Sequence, residues 1–425
     1  MLRDLKLSHI VSGAVAVLVG YTGSVAIVFQ AIEAVGATQA QASSWMLALG
    51  LGMGITCLIL SLRYRMPILT AWSTPGAALL AVSLDEVSLD QAIGAFVFCG
   101  LLLTLTGVTG WFAALSRLIP DGLASAMLAG ILFQFGLSAF TALETDTALV
   151  AIMGVTFLLG RRLLPRYTIP AVLAVGTLWC TATGAFGDIS RLDLTLARPE
   201  FVMPAFSLQV LIGIGLPLFV VTMSSQNMPG VVALRTAGYQ PPVSASLTVT
   251  GVATLLLAPF GGYAFNLAAI TAAICAGPEA DDNPDTRYLA GVMTGIVYIL
   301  VGLGGATVIS LFLIAPKALI ATVAGLALLS TIGNSLAAAL GEARGREAAL
   351  ITFMTTVSGI SFWGIGAPFW ALVLGLAVNH LLSPPSTPTP AAGADPANRA
   401  DNSPPDKVEV GDPPLDDRRF PRQTP

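Results

Sequence analysis

The segment Ala258-Pro-Phe-Gly-Gly-Tyr-Ala-Phe-Asn-Leu-Ala-Ala-Ile-Thr-Ala-Ala-Ile-Cys-Ala-Gly277 decides how this chain folds. It is apolar and sits among long apolar runs, yet it is too short and too broken to cross a bilayer as one regular helix, which takes ~20 apolar residues. Gly261 and Gly262 interrupt it where a soluble protein would turn. In lipid, free backbone polar groups are tolerated only where protein or a water-filled cavity surrounds them. A broken segment inside a polytopic chain therefore marks a transporter's substrate site.

Composition sets the class around that segment. The chain has 425 residues, 55% of them hydrophobic and 10% charged, with a mean hydropathy of +0.80. A soluble protein carries about 25% charged residues, so most of this surface faces lipid or other apolar helices. The formal charge of −4 is small, and no basic cluster points to nucleic acid. Cys57, Cys99, Cys180 and Cys275 are far apart inside apolar runs, which argues for small buried hydrophobes and against a disulfide framework or a metal site. No cofactor is implied. The amino-terminal apolar run has no convincing cleavage site and reads as a retained first helix.

Apolar windows punctuated by charge, Pro and Gly predict an all-α polytopic membrane protein with fourteen spans. They lie near 9–31, 41–61, 67–83, 91–115, 121–140, 147–163, 168–186, 206–228, 241–257, 259–276, 288–313, 318–340, 347–362 and 366–382. With the amino terminus inside, twelve basic residues fall on the inner side: Arg3, Lys6, Arg63, Arg65, Arg117, Arg161, Arg162, Arg166, Arg235, Arg287, Arg344 and Arg346. Only Arg191, Arg198 and Lys317 fall outside, while Asp85, Glu86, Asp90, Glu144 and Asp146 lie in outer loops. That bias places both termini in the cytoplasm.

The two short spans, third and tenth, are seven apart. Seven spans per half make the halves inverted repeats: residues 1–187, an outer connection 188–205, and residues 206–382. The third span, from Pro67 through Thr70-Ala-Trp-Ser-Thr-Pro-Gly76 into an Ala-rich run, has the grammar of the tenth. Residues 383–425 carry eleven prolines with seven acids and five bases, which predicts a disordered tail.

Two half-helices starting near mid-membrane would point unpaired N–H groups and partial positive charge at the space between them. Thr74-Pro-Gly76, preceded by Ser73, and Ala264-Phe-Asn266 are the expected starts. Such a pair suits a small anion without any deep Lys or Arg, and none is found in the spans. Ser224, Ser225, Gln226 and Asn227 end the eighth span and read either as substrate hydrogen-bonding groups or as helix–helix contacts. In the first span Tyr21, Thr22, Ser24 and Gln30 are the polar members. Trp72, Tyr263 and Phe265 sit at the two breaks, where they would line a slot for a flat ring or simply pack. His9 and His380 read as interfacial, and Gly50, Gly52, Gly54, Gly302, Gly304 and Gly305 as close helix contacts. An intramembrane enzyme is disfavoured, since the spans lack paired acids, metal ligands or a nucleophile–His arrangement.

Two blocks, Ser225-Gln-Asn-Met-Pro-Gly-Val-Val-Ala-Leu-Arg-Thr-Ala-Gly-Tyr-Gln-Pro-Pro-Val-Ser and Leu257-Ala-Pro-Phe-Gly-Gly-Tyr-Ala-Phe-Asn-Leu-Ala-Ala-Ile-Thr-Ala-Ala-Ile-Cys-Ala-Gly-Pro-Glu279, resemble the bacterial benzoate/proton symporter (BenE) family. That family is distantly similar to nucleobase–cation symporters and sulfate-permease-type anion transporters, and the resemblance covers roughly residues 5–382. It implies a core of spans 1–4 and 8–11, a gate of spans 5–7 and 12–14, and elevator-type alternating access. It further implies a benzoate-like anion and a proton as ligands and the bacterial inner membrane as location, and it leaves a homodimer open. The acids of the nucleobase carriers fall at about Phe265 and Gln226 here, which favours an aromatic carboxylate over a nucleobase. Another small anion or a nucleobase is the alternative.

Overall fold

The structure, a computed structural model, describes residues 4–22, 24–84, 87–112, 120–188, 192, 194–343, 345–363 and 365–382, without the Arg166 side chain. The tail 383–425, together with Arg3, Asp85, Glu86, Arg117, Arg191 and Arg344, lies outside the described residues.

Every apolar window of the sequence is helical in whole or part. The first half contains α1 (Leu7–Thr22), α2 (Val25–Ala34), α3 (Gln39–Tyr64), α4 (Thr74–Ser83), α5 (Leu89–Thr109), α6 (Asp121–Thr141), α7 (Thr147–Leu163) and α8 (Thr168–Thr183). The second contains α9 (Leu208–Thr236), α10 (Val243–Leu257), α11 (Ile270–Ala276), α12 (Tyr288–Leu303), α13 (Gly305–Ile314), α14 (Lys317–Gly341), α15 (Arg346–Val357) and α16 (Ala367–Leu382). Among the described residues, seven helices are long and apolar enough to cross a membrane, or eight if α1 and α2, bent by 42°, form one span. The count falls below fourteen because several windows hold helices that are short or broken, α4 and α11 among them. Leu101, Leu158, Leu178, Leu256 and Leu300 are exposed on helix faces, as a lipid-facing surface requires.

Small residues set the helix spacing. α3 packs on α12, and α5 on α10. A Cβ on Gly50 would lie 2.4 Å from the Gly302 Cα, so the α3 and α12 backbones touch. Gly54 meets the Gly295 carbonyl one turn along, and Gly305 fits against Met46. Without a hydrophobic force between helices in lipid, such close van der Waals packing is what holds them together. A second group, α6, α7, α8, α14, α15 and α16, packs largely within itself, with α6 against α14 as its main contact.

The two interrupted segments meet each other through a short strand pair. Strand β1 (Thr70–Ala71) precedes α4, and strand β2 (Asn266–Leu267) precedes α11. They pair antiparallel, Thr70 opposite Leu267 and Ala71 opposite Asn266, extended by the Ala268 N–H donating to the Leu69 carbonyl at 2.9 Å. Two extended backbones buried in an apolar bundle satisfy each other in this way.

Candidate functional site

The strand pair is braced from both sides by polar groups that the helices point inward. On α3, the Thr56 and Thr70 hydroxyls lie 2.6 Å apart, Thr70 Oγ1 donates to the Met53 carbonyl at 3.0 Å, and the Thr70 N–H meets Cys57 Sγ at 3.1 Å. On α10, Thr254 Oγ1 accepts the Phe265 N–H at 3.1 Å. On α9, Asn227 Oδ1 accepts the Leu267 N–H at 2.9 Å.

Asn227 can do this because α9 is irregular there. Pro217 and Pro229 lie inside the helix, and an interior proline supplies no N–H to the carbonyl four residues back and crowds it. The helix widens to a π turn just ahead of each, over Leu211–Gly215 and Met223–Asn227. The Leu216 and Met228 N–H groups then bond the carbonyls five residues back, Leu211 and Met223. π turns recur at functional sites, and the second contains all of Ser224, Ser225, Gln226 and Asn227.

Those four do different things. Ser224 Oγ donates to the Val220 carbonyl at 2.8 Å and Ser225 Oγ to that of Val221, so both hydroxyl protons are already used within the helix. Asn227 is fully buried as the brace of β2. Gln226 is half-buried and forms no side-chain hydrogen bond among the described residues, which leaves its amide free for a guest.

The expected bare helix starts need correction. At α4, Pro75 has no N–H, the Gly76 N–H goes to Ser73 Oγ at 3.0 Å, and the Ala77 N–H closes on the Ser73 carbonyl at 2.8 Å. Thr222 Oγ1 donates to the same Ser73 hydroxyl at 2.9 Å, which ties α4 to α9. Thr74, half-buried, keeps the one unused N–H of the first turn, with the helix dipole behind it. The tenth segment differs more. Ala264, Phe265 and Asn266 are not a helix start: Ala264 has φ +42°, Asn266 is in β2, and α11 begins only at Ile270. The Phe265, Leu267 and Ala268 N–H groups are all taken by protein acceptors, so a helix could not begin there. No side chain caps α11, and the Thr271 hydroxyl in its first turn is buried without a partner.

The aromatic residues separate into two sets. Tyr21 meets Trp72 edge-on at 4.9 Å, and Trp72 Nε1 donates to Ser24 Oγ at 2.9 Å, joining the α1–α2 bend to the start of α4. The Tyr21 hydroxyl is buried with no partner. Tyr263 instead packs against Trp45 and Phe96, and the Phe265 ring fills the notch left by Gly52 on α3. Both rings are fully buried and pack behind the strands, the second of the two readings the sequence left open. Asn266 turns its Nδ2 to the Ala264 carbonyl at 2.9 Å and leaves Oδ1 buried and unpaired. Thr222 and Thr271 lie beside these residues and are outside the sequence-based set, whereas Ser24 is among its first-span polar members.

His9 is corrected as well. It is fully buried rather than interfacial, with Nδ1 accepting the Lys6 N–H at 3.0 Å and Nε2 lying 3.0 Å from Asp281 Oδ2. Asp281 also receives Lys6 Nζ at 2.9 Å and Thr286 Oγ1 at 2.8 Å. The Lys6 ammonium and then the Thr286 hydroxyl hold its carboxyl well below the usual carboxylate range. Arg287 completes the knot through the Asp281 and Ala276 carbonyls. The knot ties the start of α1 to the loop after α11.

A cross-braced, uncharged centre built from two interrupted segments is a carrier's architecture, and the family comparison agrees. The family described as benzoate membrane transport protein, BenE, matches residues 3–381. The chain belongs to the BenE family. It is therefore a transporter and not an enzyme. This BenE-family chain is 46% identical over 368 residues to inner membrane protein YdcO of Escherichia coli, covering 86% of this chain and 93% of that one. It is 37% identical over 383 residues to the benzoate membrane transport protein of Acinetobacter baylyi, covering 90% and 97%. Among solved structures, the transmembrane domain of the cyanobacterial bicarbonate transporter BicA matches with a TM-score of 0.54 at 16% identity, covering 90% of this chain and 97% of that one. SLC26A9 matches with a TM-score of 0.62 at 11% identity, covering 89% and 66%. These two likenesses fix the fold as that of the SLC26-type anion transporters and say nothing of the substrate.

Proposed function

We propose that this chain imports benzoate or a closely related aromatic carboxylate together with a proton, across an inner membrane like the one that houses the Escherichia coli relative. The observation that carries the reading is the neutral centre where β1 and β2 meet. Polar groups without a partner lie on the elements that carry or adjoin it, Tyr21 on α1, Gln226 on α9, Asn266 on β2 and Thr271 on α11, and among the described residues the strands themselves bear no charged side chain that would bind a cation or pair with a nucleobase edge. The Thr74 N–H, with the α4 dipole behind it, supplies the partial positive charge for a carboxylate. Trp72, held by Tyr21 and Ser24, offers the aromatic face.

The architecture that serves this function is fourteen spans in two inverted repeats, 1–187 and 206–382, joined by an outer connection at 188–205, with both termini cytoplasmic. Its support is the symmetry of the packing. Exchanging each span for the one seven away turns α3–α12 into α10–α5 and α7–α8 into α15–α16, and leaves α6–α14 and β1–β2 unchanged; all of these contacts are made. Spans 1–4 and 8–11 form the moving core, and α6–α8 with α14–α16 form the gate. Proton coupling follows from energetics. Carrying an anion toward a negative interior costs ~2.3 kcal/mol per charge per 100 mV, and one proton cancels that charge.

The test is uptake of labelled benzoate into proteoliposomes, corrected for protein-free vesicles because neutral benzoic acid crosses lipid unaided. Uptake is expected to accelerate under an acid-outside gradient and to be competed by aromatic acids, but not by sulfate, bicarbonate or uracil. Uptake indifferent to the gradient removes the proton, and competition by bicarbonate or uracil replaces the substrate. Gln226→Leu is expected to lower uptake ~2- to 13-fold, the worth of one hydrogen bond of ~0.5–1.5 kcal/mol, with membrane insertion unchanged. Parental uptake by that variant takes Gln226 out of the site.

A further inference from the structure

Away from the strand pair, a cavity of about 460 Å³ opens between α2, α4, α6 and α14. That volume lies within the ~300–1,000 Å³ of small-molecule sites. Gln30 and Glu33 line it from α2, Gln134, Phe135 and Ser138 from α6, and Lys317 from the start of α14. In the orientation proposed above it faces outward, between core and gate, on the path a substrate takes inward.

Its chemistry is specific. Lys317 and Glu33 share the cavity without pairing, and neither side chain forms a hydrogen bond or ion pair among the described residues. Ser138 Oγ donates to the Phe135 carbonyl at 2.8 Å, which uses its proton, and Gln134 Nε2 gives one of its two N–H groups to the Val357 carbonyl at 3.3 Å. The groups best able to hold an anion are the Lys317 ammonium and the Gln30 amide, which has no partner, with the second Gln134 N–H beside them. Phe135, with the ends of α2 and α4, supplies the apolar wall. A cation and an amide on one side and an apolar wall on the other suit a guest with a carboxylate at one end and a ring at the other.

We propose that this cavity is an outer capture site for a small aromatic monocarboxylate, in which Lys317 and Gln30 take the carboxylate and Phe135 borders the ring. The inference rests on the proposed function and adds a second, peripheral site to it. Glu33 opposes the same guest, so the two charges set affinity in opposite directions. Both effects weaken with salt, since exposed charges are screened over ~8 Å at physiological ionic strength.

The experiment is the concentration dependence of benzoate uptake by full-length chain in proteoliposomes. Lys317→Gln is expected to raise KM ~5-fold at low salt with maximal rate unchanged, a loss of local attraction for the anion. Lys317→Arg is expected to keep the parental KM, and Glu33→Gln to lower it. A parental KM in Lys317→Gln overturns the proposal. So does a shift of both neutralised variants in the same direction, which would make the two residues a latch with each other. A parental chain that takes up no aromatic acid instead overturns the proposed function, and the capture site with it.

Discussion

Asn227→Leu is expected to abolish most uptake while the protein still inserts and remains helical. Leucine keeps asparagine's branched shape and number of side-chain heavy atoms, with bulkier methyl ends, and the acceptor for the Leu267 N–H disappears. That N–H lies on a fully buried strand. Leaving a buried donor unsatisfied costs ~1–3 kcal/mol, and the strand has a cheaper alternative, which is to move. β2 carries Asn266 and leads into α11, so its displacement shifts the free groups of the tenth segment together. Uptake is expected to fall between ~5- and 150-fold, the rate equivalent of that penalty. Labelled benzoate uptake, with insertion checked by membrane extraction, measures it. Parental uptake would show that the Asn227 brace does not position the site.

The segments that matter most were legible in the sequence, and the reason is physical. A lipid-embedded chain cannot hide a break, so Gly261 and Gly262 in the tenth segment, and the Pro67–Gly76 stretch in the third, announce irregular backbone. The structure places paired strands at both. The polar block after Val221 was legible for the same reason, since Ser, Gln and Asn in a row are costly against lipid. What the sequence hid was how each side chain spends its hydrogen-bonding capacity. Ser224 and Ser225 look like donors but feed carbonyls of their own helix. Tyr263 and Phe265 look like a ring slot but fill gaps beside Trp45 and Gly52, contacts that depend on which helix lies behind the strand. Composition marks a helix start at Ala264–Asn266, where the apolar residues resume, whereas α11 begins only after Asn266 and Leu267 have paired with β1. The π turns had a local signal in Pro217 and Pro229, each demanding a wider turn ahead of it. His9 had no such signal, because its partner Asp281 is far away in sequence.

That partner carries the second large expectation, a loss of stability in Asp281→Asn that depends on pH. The carboxylate gathers Lys6 Nζ, Thr286 Oγ1, the Asn283 N–H and the edge of His9, and an amide cannot accept from all of them. Losing a charge-assisted acceptor in this buried place is expected to cost ~1–3 kcal/mol, seen as a lower midpoint of thermal unfolding in detergent. The sign of the pH effect follows from the lowered carboxyl. A carboxyl with a depressed folded value stabilises the fold fully above its unfolded value of ~3.9, and that contribution fades as pH falls below it toward the folded value. The gap between parent and variant is therefore expected to be widest near neutral pH and to narrow below about pH 4. Uptake should fall with it, because the knot fixes the start of α1, which carries Tyr21, against the loop after α11, which carries Thr271. A gap that stays constant across this range would mean that Asp281 acts through packing and not through its charge. A gap that widens on acidification would reverse the direction of the shift and separate the knot from the carrier's stability.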